Sequence, residues 1–230
     1  IPDDDQEAAR VDIVETREGP NEYAYPSHPL VSFCDLPGYG TPSYPDVESY
    51  WTRLDLEKFD VFLIFVSLKI TELDLKLIQK AKSKNKSLIL IHAKIDDDLS
   101  GMIRKYGQHF QEKEQLDKMR NHFLQGIRHL SYPSEDIFLI NNYDPYQGDF
   151  SRLIEAIMSM FPDASQADNP SDLTELYLSD TRMYMKENGV SGIDVFLKEK
   201  LKRSEAVKIR FGITGDIGTG KSAFINAIRG

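Results

Sequence analysis

One segment near the end of the chain has the residue types and spacing that hold phosphate groups. Residues 215–222 read GDIGTGKS, which satisfies the pattern G-x-x-x-x-G-K-S. Glycines let backbone N–H groups turn inward around phosphate oxygens, and the N-terminus of a following helix adds positive potential. The lysine ammonium would reach the outer phosphates, and the serine hydroxyl would bind Mg²⁺. The predicted phosphate-binding residues are Gly215, Asp216, Gly218, Thr219, Gly220, Lys221, Ser222 and Ala223.

The surroundings of this segment distinguish a phosphate loop from an ordinary glycine-rich turn. An apolar run at 207–213 precedes it, and an amphipathic helical pattern at 222–229 follows it. This strand–loop–helix order is the context that the motif requires.

A second segment provides an acidic group and a glycine that suit the same ligand. Asp35-Leu36-Pro37-Gly38 follows the apolar run 31–34 and fits the pattern D-x-x-G. Asp35 can hold Mg²⁺ through water, and the Gly38 N–H can face the terminal phosphate. Taken alone, the segment could equally be a plain Pro-Gly turn.

A third segment predicts recognition of a purine base. Residues 93–96 fit the pattern N/T-K-x-D except that Ala93 replaces the usual Asn or Thr. The Asp96 carboxylate can accept both the N1 and N2 hydrogens of guanine, a donor pair that adenine lacks. The aliphatic stem of Lys94 would cover the base plane. Asp97 and Asp98 are expected to be solvated residues of the same loop.

Two asparagines complete the set of candidate ligand contacts. Asn141 and Asn142 follow the apolar run 137–140 and are predicted to touch guanine O6, although a simple turn would use the same residues. All four motifs stand at the C-terminal ends of predicted strands, where open α/β sheets bind ligands. Their coincidence predicts a site for GTP or GDP, with Mg²⁺ held by Ser222 and Asp35.

The elements that must position these residues alternate along the chain. Short apolar runs predict buried parallel strands, and the longer patterns between them predict helices, so the fold class is α/β with helices on both faces of a mostly parallel sheet. The predicted strands are 31–34, 61–66, 88–91, 137–140 and 207–213, with an edge strand within 11–25. The predicted helices are about 46–57, 72–83, 102–130, 150–160 and 222–229.

Composition narrows the partners and the compartment. The formal net charge of -9 argues against nucleic acid as the main partner, because phosphate backbones require a basic surface. The one cysteine, Cys34, fits a reducing compartment and lies in an apolar run that predicts burial. No apolar run reaches the roughly 18 residues of a membrane-spanning helix. We therefore expect a cytoplasmic chain.

The motifs together resemble the immunity-related, interferon-inducible GTPases. The residues that carry the resemblance are 214–230, including the run FINAIRG, and the segments 35–40, 94–99 and 142–145. The resemblance implies a Ras-like P-loop GTPase fold with a small helical appendage. It also implies cell-autonomous immunity at intracellular membranes, peripheral membrane association of the full-length protein, and activation by dimerisation with a copy or related GTPase through the G-domain face.

The order of the motifs is rotated relative to that family. The phosphate loop comes last, and joining Gly230 to Ile1 restores the usual order. We expect a GTPase domain at 1–162, a polar linker at 163–172, a helical segment at 173–204, and a closing strand and helix at 205–230. The circularly permuted ribosome-assembly GTPases are disfavoured, because their order keeps the phosphate loop ahead of the switches.

Hydrolysis is the least determined part of the prediction. No glutamine follows Gly38 to orient an attacking water. The resemblance assigns a catalytic role to Glu15, beside that of Lys221, although Val11 stands where the family has threonine. Hydrolysis should therefore be slow without a partner. A nucleotide-binding regulator with little hydrolysis remains the alternative, and an ATP-using enzyme conflicts with Lys94 and Asp96.

Overall fold

The computed structural model describes Ala9 and residues 19–25, 28–160 and 209–229. The strands are β1 (Asn21–Tyr25), β2 (His28–Asp35), β3 (Val61–Phe65), β4 (Ser87–His92), β5 (Ile137–Leu139) and β6 (Ile209–Gly215). The helices are α1 (Val47–Arg53), α2 (Glu72–Ser83), α3 (Ile95–Tyr106), α4 (Glu112–Ile127), α5 (Phe150–Ser159) and α6 (Lys221–Arg229).

A six-stranded sheet carries the fold, in the order β1-β2-β6-β3-β4-β5. Among the described strand pairs, β1–β2 is antiparallel and the other four are parallel. β6, which comes last in the chain, lies in the middle of the sheet. Its register aligns Ile213 with Asp35 on one side and Gly215 with Phe65 on the other. The prediction of a mostly parallel α/β sheet is confirmed.

Helices cover both faces of the sheet, as predicted. On one face, α5 and α6 pack through Phe150 and Phe224 against Phe65, with Phe224 and Phe65 ring centroids 5.3 Å apart. On the other face, α1 to α4 bury side chains such as Tyr50 and Phe123. The run VFLIF of β3 is buried along its whole length, because a central parallel strand is covered on both faces.

Two predicted helices differ in their bounds from the observed ones. The predicted helix 102–130 is wrong: two helices, α3 and α4, occupy this region, and Gly107 separates them with φ 53° and ψ -125°. The predicted helix 46–57 ends at Arg53, and Asp55 follows in the left-handed region with φ 50°. A single residue with positive φ interrupts helical hydrogen bonding, which apolar periodicity does not reveal.

Several predictions fall outside the described residues. These are the linker 163–172, the helical segment 173–204, most of the predicted edge strand, and Glu15. Among the helices that the structure describes, none is long and apolar enough to cross a membrane.

Candidate functional site

The phosphate loop joins the central strand β6 to helix α6, as its motif predicts. Gly215 ends β6 so close to the neighbouring strand that a Cβ would lie 2.2 Å from the Phe65 carbonyl oxygen. Gly220 has φ +92°, and a Cβ there would lie 3.0 Å from both the Ala93 Cβ and the Asn142 Nδ2. Only glycine satisfies these two positions, so the loop keeps a backbone path that larger residues would block.

Lys221 and Ser222 lie at the start of α6, and hydrogen bonds hold both of their side chains. Lys221 is 9% exposed, and its Nζ donates to the carbonyl oxygens of Gly215, at 3.0 Å, and Asp216, at 2.7 Å. The ammonium is therefore folded back over the loop. The Ser222 hydroxyl donates to Asp35 Oδ2 at 2.8 Å, and Asp35 is buried at the end of β2. The parallel pairing of β2 with β6 brings these groups together.

The Ser222–Asp35 pair fits a magnesium ion. Both side chains offer hard oxygen ligands, the type that Mg²⁺ prefers. The described residues contain no cluster of three or more histidine, cysteine or acidic side chains that could hold a metal. Mg²⁺ is usually held by one or two protein oxygens together with substrate phosphates and water.

The segment after β2 is fixed against the phosphate loop. Leu36 N donates to Ile213 O at 2.9 Å, and the Tyr50 hydroxyl donates to Pro37 O at 2.8 Å. A Cβ on Gly38 would lie 2.9 Å from Ile217 Cγ1 and 3.3 Å from the Ile217 backbone nitrogen. Gly38 therefore touches the tip of the phosphate loop, where the predicted terminal phosphate would lie.

Tyr39 follows Gly38 and contacts the first turn of α2. Its side chain is buried, and its hydroxyl donates to the Asp74 carboxylate at the start of α2. Burial and the neighbouring Asp74 charge hold the pKa of the Tyr39 hydroxyl well above its usual value. Thr71 and Asp74 form a capping box for α2, with Asp74 Oδ2 accepting from Thr71 N at 2.6 Å. Tyr39 is thus a structural residue in this arrangement.

The base-recognition segment follows β4 directly. Ala93 is buried, and Lys94 is exposed and adopts a left-handed backbone conformation with φ 70° and ψ 32°. Asp96 lies half-buried in the first turn of α3. The expectation that Asp98 is a solvated loop residue is wrong, because it lies within α3 and its carboxylate pairs with buried His92.

The two asparagines have different roles. Asn141 Nδ2 donates to Gln147 Oε1 at 3.0 Å, and its Oδ1 accepts from Tyr143 N at 2.9 Å, so Asn141 shapes its own turn. Asn142 instead donates from Nδ2 to the Gly220 carbonyl at 3.0 Å, and its buried Oδ1 has no hydrogen-bond partner within the described part of the chain. Asn142 therefore links the predicted base side of the site to the phosphate loop.

Comparison with known proteins agrees with this geometry. The family model "Interferon-inducible GTPase (IIGP)" matches residues 1–177 and 173–230. The chain belongs to the interferon-inducible GTPase family. The phosphate loop of this family member lies within the second matched segment, and the other three motifs lie within the first.

Three relatives illustrate the degree of similarity. Interferon-inducible GTPase 5 of Rattus norvegicus is 28% identical over 151 residues, which cover 66% of this chain and 32% of the relative. Interferon-gamma-inducible GTPase 10 of Mus musculus is 25% identical over 159 residues, covering 69% and 38% respectively. Immunity-related GTPase family M protein 3 of Mus musculus is 27% identical over 151 residues, covering 65% and 34%. The matched regions span about a third of these relatives.

Sequence reasoning missed several residues that shape the site. The Thr71-x-x-Asp74 spacing is a capping-box signature and could have been found in the sequence. Hydrogen-bond partners that are distant in sequence could not have been found in this way. Tyr50, for example, bonds to Thr214 Oγ1 at 2.7 Å across 164 residues of sequence. His92 also carried no signal, because a lone histidine in an apolar strand does not reveal its partner.

Proposed function

We propose that this chain binds a guanine nucleotide with Mg²⁺ and hydrolyses GTP to GDP. The observation that supports it is the convergence of three separate segments on one sheet edge. Lys221 and Ser222 begin α6, Asp35 ends β2 and bonds to Ser222, and Asn142 bonds to Gly220 from the loop after β5. These residues lie where an α/β sheet binds its ligand.

The roles of the phosphate-side residues follow from their charges and positions. The Lys221 ammonium neutralises the outer phosphates, and the backbone N–H groups of the glycine-rich loop donate to phosphate oxygens. Ser222 and Asp35 would hold Mg²⁺, which supplies positive charge opposite the phosphates. The Gly38 N–H would donate to the terminal phosphate. Because Gly38 lies close to Ile217, this requires the two residues to leave room for the phosphate.

Guanine selectivity rests on the carboxylate of Asp96. It can accept both the N1 and N2 hydrogens of guanine, and binding adenine would leave it without these donors. Ala93 cannot supply the polar loop contact that Asn or Thr would give. The Asn142–Gly220 hydrogen bond provides a polar link between the base loops and the phosphate loop in the same region.

Hydrolysis would depend on a second G domain. Tyr39 follows Gly38, where small GTPases use a glutamine to orient the attacking water, and its hydroxyl donates to Asp74. We propose that a homodimer or a related GTPase, meeting this chain through the G-domain face, completes the site with Glu15 in a catalytic role. The names of the relatives support a place in immunity, and action at intracellular membranes is part of the same proposal.

The second candidate is a nucleotide-binding regulator with little or no hydrolysis, which the lack of a glutamine after Gly38 also favours. Turnover per molecule, measured across protein concentrations, distinguishes the two. Turnover that rises with concentration supports activation by dimerisation. Turnover that stays near zero at every concentration supports the regulator.

We further propose that the family's motif order is rotated in this chain. The position of β6 between β2 and β3 and the two matched segments of the family model support the rotation. Asn226 of α6 also bonds to Ala9, accepting from its N at 2.6 Å and donating to its O at 3.0 Å. Ala9 therefore lies beside α6.

Calorimetric binding of GDP, a non-hydrolysable GTP analogue and ATP, each with Mg²⁺, tests the nucleotide proposal. We expect GDP and the GTP analogue to bind and ATP to bind far more weakly. Asp96→Asn should weaken GDP binding by about 10- to 100-fold, since one buried acceptor is replaced by a donor. The control Asp97→Asn, at an exposed neighbour in the same turn, should bind like wild type. Equal binding of ATP, or an unaffected Asp96→Asn variant, would refute guanine selectivity.

A further inference from the structure

A buried histidine at the end of β4 is bonded to the helix that carries the base-reading residue. The His92 side chain is 8% exposed, and its Nδ1 lies 3.0 Å from the Val66 carbonyl oxygen. Its Nε2 lies 2.6 Å from Asp98 Oδ2. Asp98 belongs to the first turn of α3, two residues after Asp96. The pair therefore closes a loop from residue 92 to residue 98 around the segment predicted to bind guanine.

The hydrogen-bond geometry fixes the number of protons that this pair must hold. A carbonyl oxygen and a carboxylate oxygen are both acceptors, so each ring nitrogen must donate. A neutral imidazole carries one N–H and can satisfy only one of the two. Both bonds form only when the pair holds one proton more than a neutral imidazole beside a carboxylate. Protonated histidine beside ionised Asp98 meets this condition, and so does neutral histidine beside protonated Asp98.

The turn from residue 93 to residue 98 has few other strong interactions that would hold it in place. Lys94 has a left-handed backbone, which is unfavourable for a residue with a side chain, and α3 has no side-chain cap at its N-terminus. Ile140 N donates to His92 O at 2.9 Å, but the two backbone bonds of the turn itself are longer: Ile95 N to Ile140 O is 3.3 Å, and Asp98 N to Lys94 O is 3.4 Å. The 2.6 Å bond between His92 and Asp98 is the short one in this set.

We propose that His92 and Asp98 form a proton-dependent clamp that positions Asp96 for guanine, so that guanine affinity rises as pH falls. This inference rests on the proposed nucleotide-binding function. Both residues are positioning residues, because neither is placed to touch the nucleotide itself.

The groups around the imidazole come from four elements. The residue after β3 presents the Val66 carbonyl, and α3 presents the Asp98 carboxylate. α4 presents the Phe123 ring, whose centroid lies 5.5 Å from that of His92. β5 presents the apolar residue Leu139, which is paired with His92 in the sheet. Asp98 is thus the ionisable partner of His92, and the proton count of the two together controls the clamp.

Two substitutions separate the clamp from simple packing. Asp98→Asn lets a neutral His92 donate from Nδ1 to Val66 and accept at Nε2 from the introduced amide, so both bonds survive without the extra proton. GDP binding by this variant should vary less with pH than that of wild type. His92→Phe keeps an aromatic ring against Phe123 but removes both bonds, and should weaken GDP binding by about tenfold at low pH.

GDP affinity, measured by calorimetry with Mg²⁺ between about pH 5.5 and pH 8.5, tests the proposal. The ratio of wild-type to Asp98→Asn affinity cancels the ionisation of the ligand, and we expect this ratio to fall about five- to tenfold as pH rises across the range. His92→Phe should also lower the preference for GDP over IDP, which lacks the N2 amino group that Asp96 would bind. The control His109→Phe, at an exposed histidine, should follow wild type.

The outcomes distinguish a failure of the clamp from a failure of the proposed nucleotide-binding function. A constant wild-type to Asp98→Asn ratio, or a His92→Phe variant with wild-type affinity and GDP:IDP preference, overturns the clamp while GDP binding stands. A wild-type chain that binds no GDP at any pH overturns both. A melting temperature of His92→Phe close to that of wild type, together with weakened GDP binding, supports positioning over a general loss of folding.

Discussion

Replacing Gly38 with alanine tests whether the segment after β2 meets the phosphate loop as the structure shows. The new Cβ would lie 2.9 Å from Ile217 Cγ1 and 3.3 Å from the Ile217 backbone nitrogen. Gly38 does not have a positive φ, so alanine is acceptable to the backbone and the effect would come from crowding. The two residues are 179 positions apart in sequence, since 217 - 38 = 179. A coupling between them can therefore arise only from tertiary contact.

The cost of Gly38→Ala in free energy of unfolding depends on which atoms of Ile217 can move away from the new Cβ. Ile217 is 37% exposed, so its Cγ1 can turn toward solvent, whereas the backbone nitrogen can move only with the loop. Over-packing typically costs about 1–3 kcal/mol, and we expect the lower half of this range for Gly38→Ala. In an Ile217→Ala background the Cγ1 atom is gone. The same substitution should then cost less than about 0.5 kcal/mol, which leaves a coupling of about 1 kcal/mol.

Urea unfolding of the wild type, the two single variants and the double variant measures this coupling as a difference in free energy of unfolding. Gly101→Ala is the matched control, because nothing lies within 4 Å of its Cβ and the residue is inside α3. That change should stabilise the chain by up to about 1 kcal/mol. Additive effects of Gly38→Ala and Ile217→Ala, within about 0.5 kcal/mol, would contradict the contact.

Three further predictions concern the same region. Gly215→Ala should lower the free energy of unfolding by more than about 3 kcal/mol, since its Cβ would lie 2.2 Å from the Phe65 carbonyl oxygen in the central strand pair; urea unfolding close to wild type would contradict this packing. Asn142→Ala removes the donor to the Gly220 carbonyl and should weaken GDP binding about five- to tenfold in calorimetry, with an unchanged Kd arguing against the link. Burial raises the pKa of the Cys34 thiol to about 11, so alkylation of the native chain at pH 8 should be about a hundredfold slower than that of a free thiol. Alkylation should accelerate as pH rises, because the reactive thiolate fraction grows. Rapid stoichiometric labelling at pH 8 would show that the thiol is not buried.

Much of the sheet could be predicted because its signals are local. The run VFLIF is apolar throughout, as a strand buried on both faces must be, and β3 forms there. Helix α2 occupies the predicted residues 72–83, where Thr71 and Asp74 cap its start. The break at Gly107 was not predicted, since apolar periodicity continues across it while the backbone conformation does not.

The candidate site shows the same division between local and distant information. The phosphate loop was recognisable because all of its groups lie within eight consecutive residues. The pairing of His92 with Asp98 was not, although only six residues separate them. Both hydrogen-bond partners of the imidazole had to be known before its protons could be counted, and one of them, the Val66 carbonyl, comes from the residue after β3.

The sequence by itself determined the fold class and the places of the four motifs at strand ends, because strand and helix patterns and short motifs are encoded in neighbouring residues. The tertiary structure alone decided that β6, last in the chain, lies between β2 and β3, where strand pairing brings Ser222 to Asp35 across 187 residues. It also decided that the Tyr39 hydroxyl bonds to Asp74 at the start of α2, and that Asn142 bonds to Gly220. These contacts join segments that only the packed sheet brings together, and a linear sequence does not state which of its distant groups will meet.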